Sequence, residues 1–127
     1  MRAILLAALL AAACSKSDSA ATARDKVLDA WKAEKLAPSA FAAATVAVGK
    51  DCQAGTVEGI DALVCNFASP AEAKAAEDAG LAWVGPTTGA SQAHGAALVV
   101  LADRKKADPN GRTINRLMKL APNEPLR

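Results

Sequence analysis

The residues best able to do chemistry in this 127-residue chain are three cysteines and a single histidine. Cys52 and Cys65 bracket the stretch CQAGTVEGIDALVC, Cys14 ends an apolar N-terminal run, and His94 precedes a glycine. A cysteine pair can bind a metal, exchange disulfides, supply a reactive thiol or form a structural bridge. The compartment decides among these, because disulfides persist in oxidising surroundings.

The first fourteen residues, MRAILLAALLAAAC, have the form of an export signal. The apolar run after Arg2 is too short to span about 30 Å of hydrocarbon, but it suits the core of a signal peptide. The run, its last small residues and the cysteine resemble the lipobox of bacterial lipoproteins, which signal peptidase II cleaves. An ordinary secretory signal or a buried N-terminal helix is the alternative.

The resemblance to lipoproteins implies three segments. Residues 1–13 are a signal peptide, Cys14 carries the lipid, and residues 14–21 are the lipidated cysteine with a polar tether. Ser15 stands where an Asp would resemble an inner-membrane retention signal. The resemblance therefore implies a lipid-anchored protein of the cell envelope, on the periplasmic face of the outer membrane.

With the first cysteine used for lipid, Cys52 and Cys65 form an even pair in an oxidising compartment, which predicts a disulfide. If Glu58 and Gly59 form a two-residue hairpin turn, the cysteines face each other at a non-hydrogen-bonded pair. The Cα separation there is about 4.5 Å, which suits a bridge worth about 3 kcal/mol. The alternatives are a register shifted by two, with Cys52 facing Phe67, a metal site, or reduced thiols.

No catalytic motif accompanies these residues. The sequence holds no phosphate-binding glycine loop, no H-E-x-x-H and no G-x-S-x-G. His94 is expected to be an exposed turn residue. Asp51, Glu58 and Asp61 are expected to be solvated turn carboxylates, with pairing as acid and base as the alternative. We therefore predict no catalytic residue, no metal and no cofactor.

The last quarter of the chain is cationic and is a candidate for contact with an anionic surface. The candidate residues are Arg104, Lys105, Lys106, Arg112 and Arg116. Nucleic acid is not the expected partner, because no aromatic platform lies among these charges and the formal net charge of the chain is only +2. We expect anionic lipid headgroups or an acidic envelope protein, with a solvated face that binds nothing as the alternative.

Three helix starts are visible in the sequence, each with a capping side chain followed closely by an acidic residue or a proline. They lie at residues 22–25, 69–72 and 108–109. Gly80 is expected to stop the second helix, and residues 83–84 are expected to begin extended structure.

Strands are expected between these helices. Residues 41–48 read as an edge strand or an irregular stretch, and two hairpins are expected to turn at Glu58 with Gly59 and at His94 with Gly95. The predicted fold class is α+β: an antiparallel sheet built from two hairpins, with helices packed on one face, in a single domain over residues 22–127. A duplicated ββα unit after the N-terminal helix is a further hypothesis, with chance patterning as the alternative.

The expected function is that of a non-catalytic, membrane-anchored envelope lipoprotein that acts as a small binding or interaction module. The alternatives are an enzyme or enzyme accessory with an unrecognised site, and a carrier of a small ligand. A deep pocket in which His94 meets a carboxylate would favour the enzyme.

Overall fold

The computed structural model describes residues 22–36 and 38–123, which form a five-stranded antiparallel sheet with helices against both faces. The lipid attachment predicted at Cys14, and the tether, lie outside the described residues. The strands are β1 (Ala42–Val46), β2 (Gly49–Val57), β3 (Ile60–Asn66), β4 (Gly89–His94) and β5 (Ala97–Ala102). The helices are α1 (Ala23–Ala33), α2 (Pro70–Ala75), α3 (Glu77–Val84) and α4 (Arg112–Leu120). The predicted α+β class is confirmed.

The first hairpin forms as predicted. Glu58 and Gly59 both have positive φ, 54° and 82°, as a tight two-residue turn requires. This turn fixes the register of β2 and β3, in which Cys52 is the partner of Cys65. Their Cα atoms lie 4.0 Å apart and their Sγ atoms are at bonding distance, 2.05 Å. The strand order β1-β2-β3-β5-β4 puts β1 at an edge, which confirms the edge strand predicted within residues 41–48.

The predicted turn of the second hairpin is wrong by one residue. His94 pairs with Ala97, so the turn consists of Gly95 and Ala96, and His94 is the last residue of β4. Side chains alternate between the two faces of a strand, so a shift of one residue moves a side chain from turn to sheet face. His94 is therefore buried, with only 4% of its surface exposed, and the expectation of an exposed turn histidine is also wrong.

The expectation that the helices pack on one face is wrong, because each face of the sheet has its own core. Helices α1 and α4 cover one face, where the indole Nε1 of Trp31 donates a hydrogen bond to the carbonyl of Leu117 at 3.0 Å. Helix α3 covers the other face, where Val84 joins the core that contains the cysteine pair. Strands β3 and β5 are buried on both sides, which is why they consist almost wholly of apolar residues.

The expectation that Gly80 ends a helix is wrong because Gly80 lies inside α3, and Trp83 is helical too. A Cβ at position 80 would collide with the hydroxyl of Ser91 and would lie 2.9 Å from Cγ2 of Val100. The glycine is present because the helix lies that close to the sheet. The helix ends at Gly85, whose φ of 70° is in the left-handed region.

The registers relate the two hairpins by a two-fold rotation, but the helices that follow them do not obey it. Strands β3 and β5 are antiparallel neighbours, and the rotation that exchanges such strands is a two-fold axis normal to the sheet. That rotation leaves each face on its own side. The helix after β3 and the helix after β5 nevertheless lie on opposite faces. The rotation therefore does not superimpose the helices, and the duplicated ββα unit stays a hypothesis.

Candidate functional site

The sheet has two ends at which polar side chains collect. At the first, Asp51, Asn66, Ala97 and His94 form one row across four strands, and we name it the Asn66 end. At the second, Thr56, Asp61, Ala102 and Gly89 form the corresponding row, which we name the Asp61 end. Five residue steps along β3 separate the rows, or about 17 Å.

Helix α1 begins at the Asn66 end and is held there by several hydrogen bonds. Thr22 and Asp25 form the predicted capping box. The guanidinium of Arg24 lies 2.7 Å from a carboxylate oxygen of Asp51, and the backbone N–H of Arg24 donates to the side-chain oxygen of Asn66 at 2.8 Å. The hydrogen bond from Arg24, and then that from Asn66, hold the pKa of Asp51 below its ordinary value. The residues before Thr22 therefore join the domain at this end.

Part of the basic cluster lies at the Asp61 end. The guanidinium of Arg104 lies 3.0 Å from the carboxylate of Asp61, donates to the carbonyl of Trp83 at 2.6 Å, and stacks 4.3 Å from the centre of the indole ring. Arg104 is thus engaged within the fold. Lys105 and Lys106 are exposed and form no ion pair within the described part of the chain.

The other two basic candidates lie on α4. Arg116 is 3.6 Å from the carboxylate of Glu34, at the end of α1. Arg112 is exposed in the first turn of α4, and no ion pair joins it to another described residue. Of the five candidates, two are therefore paired within the domain and three are free to meet a partner.

Two buried aspartates order the loop at the Asp61 end: Asp103, which the sequence did not single out, and Asp108, from which the last helix was predicted to start although it starts at Arg112. The carboxylate of Asp108 accepts the backbone N–H groups of Thr113 and Ile114, at 3.0 and 2.9 Å, and so caps α4 from four residues before its first turn. The carboxylate of Asp103 accepts the N–H groups of Ala107 and Asp108 at 2.7 and 2.9 Å. Burial raises the pKa of Asp108, but the hydrogen bonds from Ile114 and Thr113 outweigh it and lower that pKa overall.

His94 faces a cleft of about 480 Å³ between the edge of β4 and the C-terminal end of α4. We name it the His94 cleft. It is lined by Gln92, His94, Asn115, Met118, Lys119, Leu120, Ala121, Pro122 and Asn123. Both ring nitrogens of His94 are buried, and neither makes a hydrogen bond of normal geometry to residues 22–36 and 38–123, although the backbone carbonyl of Ala121 lies near enough to the ring to act on its pKa. Buried polar side chains are normally hydrogen-bonded, so this histidine is an exception that requires a cause.

The charge state of His94 follows from its burial. Burial lowers the pKa of the imidazole below its ordinary value because the low dielectric disfavours the charged ring. The backbone carbonyl of Ala121 and the negative charge of Glu77 oppose this shift without reversing it. The ring is therefore neutral at physiological pH, with one nitrogen able to donate a hydrogen bond and the other able to accept one.

A second cleft, of about 290 Å³, adjoins the first and shares Gln92 and Asn123 with it. Glu77, which lines this second cleft, accepts the backbone N–H of Ala93 at 2.8 Å, and Lys74 lies 3.9 Å from the same carboxylate. The carboxylate of Glu77 is thus already hydrogen-bonded to the backbone at the edge of β4. The two clefts together form a groove across that edge, which we name the β4 groove.

Of the three acidic residues for which acid–base pairing was the alternative, Asp51 is separated by the length of the sheet from Glu58 and Asp61, which lie at and beside the first turn. Asp51 lies at the Asn66 end, Asp61 lies at the Asp61 end, and each is paired with an arginine. The described residues contain no group of three or more His, Cys, Asp or Glu side chains placed to hold a metal ion. No helix within the described ranges has the length and apolar character that crossing a bilayer requires.

Comparison with known proteins finds no matching family model, no matching curated protein and no matching solved structure. The function is therefore argued from the residues of this chain.

Proposed function

We propose that this chain is a non-catalytic envelope lipoprotein, anchored to a membrane through Cys14, whose domain is a small binding module. The observation that carries the binding role is the His94 cleft. The cleft opens beside the edge of β4 and is lined by the side chains of Gln92, Asn115, Lys119 and Asn123, which offer hydrogen-bond donors and acceptors and one positive charge.

The same geometry favours binding over catalysis. Nucleophilic and acid–base catalysis need a histidine within hydrogen-bond reach of a nucleophile or of an orienting carboxylate. Among the described residues no hydroxyl, thiol or carboxylate is hydrogen-bonded to His94, and the nearby Glu77 caps a backbone N–H instead. The arrangement provides hydrogen bonds for a ligand rather than a proton relay.

The start of α1 supports an orientation relative to the membrane. A flexible tether over residues 15–21 would reach only about 15 Å. Because α1 begins at the Asn66 end, a lipid on Cys14 would keep that end, and with it the opening of the His94 cleft, close to the membrane.

The orientation changes the expected role of the basic residues. Lys105 and Lys106 lie at the Asp61 end, about 17 Å further from the tether, and electrostatic attraction is screened over about 8 Å at physiological salt. We therefore propose an acidic envelope protein, and not the headgroups of the anchoring membrane, as the partner of these lysines. Nucleic acid remains outside the proposal.

The anchor is tested by metabolic labelling with a palmitate analogue in intact cells. The wild-type chain should take up the label and sediment with the membranes, whereas Cys14→Ala should do neither. The matched control is the pair Cys52→Ser and Cys65→Ser, which leaves Cys14 as the only thiol and should keep the label. Equal labelling of the wild type and Cys14→Ala would refute the anchor.

A further inference from the structure

We propose that His94 is a pH-sensitive switch: uptake of a proton by its imidazole releases residues 121–123 from the edge of β4 and opens the His94 cleft. As regulation of the cleft, this switch rests on the binding role proposed above, whereas the release itself is measured without a ligand. It follows from three features: the enclosed ring, the weak attachment of the segment that encloses it, and the charges around it.

The imidazole of His94 is enclosed between β4 and the end of α4. Ala121 and Pro122 line the same cleft, and the carbonyl of Ala121 lies near enough to act on the ring. Both ring nitrogens are nevertheless closed off from solvent and make no hydrogen bond of normal geometry within the described ranges. A protonated imidazole has two N–H groups to satisfy, and the described residues bring only the carbonyl of Ala121 to it. The charged ring therefore requires water that the closed arrangement excludes.

Of the two sides of this enclosure, the segment after α4 is the less firmly held. Strand β4 is paired with β5 along its length, and its edge is fixed where Ala93 donates to the carboxylate of Glu77 at 2.8 Å. Residues 121–123, in contrast, have one hydrogen bond of normal geometry to described residues, from the N–H of Ala121 to the carbonyl of Leu117 at 3.3 Å. Segments with few buried contacts and few backbone hydrogen bonds open at the lowest cost. Release of this segment is therefore the route by which water reaches the ring.

Helix α4 itself is held independently of the segment that follows it. The indole Nε1 of Trp31 donates to the carbonyl of Leu117 at 3.0 Å, and both side chains are fully buried. Met118, which is only 9% exposed, lines the cleft beside Ala121. Release of residues 121–123 would therefore uncover Met118 while α4 stays on the sheet, and the open cleft would offer a larger apolar surface to a ligand.

The charges around His94 leave the neutral ring favoured in the closed arrangement. At this end of the sheet they are Lys74 of α2, Glu77 of α3 and Lys119 of α4, with the pair Arg24 and Asp51 three strands away. Burial lowers the pKa of the imidazole, and the carbonyl of Ala121 and the charge of Glu77 oppose this shift without reversing it. The open form lacks this burial, so it binds a proton more readily than the closed form. Acid should therefore raise the ratio of open to closed form, by up to about tenfold per pH unit below the ordinary pKa of 6.5.

Amide hydrogen exchange, measured by NMR in the full chain in detergent micelles, tests the switch. The protection of the Ala121 N–H, taken relative to the unstructured rate at each pH, should fall by up to about 30-fold between pH 7.5 and 5. The indole N–H of Trp31, which bonds to the same carbonyl of Leu117, should keep its protection within about twofold. The fall should follow the titration of the ring, which the single histidine of the sequence reports without ambiguity.

Two variants remove the proton site. His94→Gln keeps a polar side chain that takes up no proton, so Ala121 should then keep its protection across the same pH range. His94→Leu is the second variant and should give the same result, so that the test stands if one of the two fails to fold. Asp78→Asn, which neutralises an exposed carboxylate on α3, is the matched control and should follow the wild type because it retains the histidine.

Three results would overturn the switch. The first is protection of Ala121 that does not change with pH, or that changes equally in the His94 variants. The second is a parallel loss at the indole N–H of Trp31, which would mean that α4 or the whole domain opens instead. The third is a titration midpoint of His94 at the ordinary 6.5, which would mean that water already reaches the ring. Palmitate labelling is independent of all three, so failure of the switch would leave the anchored-module proposal standing.

Discussion

The two ends of the sheet use their polar side chains differently. At the Asp61 end, the charged groups satisfy one another or the backbone: Arg104 pairs with Asp61, and the carboxylates of Asp103 and Asp108 take up backbone N–H groups. At the Asn66 end, the start of α1 is equally well satisfied, but His94 lies beside it with both ring nitrogens unpaired in the described part of the chain. The charged groups of the Asp61 end thus pair with one another or with the backbone, whereas the Asn66 end contains a buried histidine without a hydrogen bond of normal geometry.

This difference shows that charge density is a poor guide to the binding site here. The basic run is the most conspicuous feature of the C-terminal sequence, yet two of its five arginines and lysines stabilise the domain itself. His94 is a single inconspicuous residue in the sequence, yet it is the buried polar group at this end, with only 4% of its surface exposed. An unsatisfied buried group indicates a ligand more directly than an exposed charge, which water already solvates.

The largest effect should come from the covalent link at the Asn66 end. Replacing both Cys52 and Cys65 with Ser should lower the free energy of unfolding by about 3 kcal/mol, because the bridge closes a loop with a sequence separation of 13. Urea unfolding of the oxidised wild type and the double variant measures this. The oxidised wild type should also gain 2 Da on reduction, about the mass of two hydrogens. Free thiols in the untreated protein would contradict the bridge.

The next largest effect should come from the Asp61 end. Asp108→Ala removes two hydrogen bonds to the start of α4 and leaves backbone N–H groups unsatisfied, which should cost about 1–2 kcal/mol in urea unfolding. Asp108→Asn is the matched control, because the amide oxygen can still accept one of these bonds and the loss should be smaller. If both variants unfold like the wild type, the Asp61 end is not held by its buried carboxylates.

His94 should make the free energy of unfolding depend on pH near the ordinary pKa of an imidazole. Its pKa in the folded state is lower than the ordinary 6.5, so the unfolded chain binds a proton first as the solution becomes acidic. The stability is complete above about pH 6.5 and declines as the pH falls through and below that value. His94→Leu should abolish this decline between pH 6.5 and 5, as measured by urea unfolding at each pH. An unchanged slope would show that His94 is not held in the neutral form.

Local signals in the sequence predicted the parts of the fold that local chemistry decides. The turn at Glu58 and Gly59 sets the pairing register of β2 and β3. Counting residues outward from the turn therefore predicted that Cys52 lies opposite Cys65. The capping box at Thr22 and Asp25 is similarly complete within four residues. These elements form correctly because their stabilising contacts are close in the sequence.

The remaining errors concern features that distant residues decide. A glycine in an alanine-rich helix can end the helix or allow it to pack closely. Gly80 allows close packing, because Ser91 of the sheet lies where a Cβ at position 80 would be. The turn beside His94 is an exception, because Gly95, with a φ of 61°, occupies the first position of the turn, where a type II′ turn takes glycine. The His94 cleft needs β4 and the end of α4 together, and no spacing along the chain indicates that contact.

The smallest expected effect tests whether the two ends face different surroundings. The protein, without its natural lipid, is tethered through position 14 to vesicles of mixed neutral and anionic lipid. Replacing Lys105 and Lys106 with Gln should then leave its binding to the vesicles unchanged within about twofold, because the tether holds the opposite end of the sheet near the bilayer. The same variant tethered through a cysteine introduced at Glu58, beside the lysines, should lose binding relative to its Lys-containing parent. Equal losses with both tethers would mean that the lysines reach the membrane from either end, and the orientation inferred from the start of α1 would be wrong.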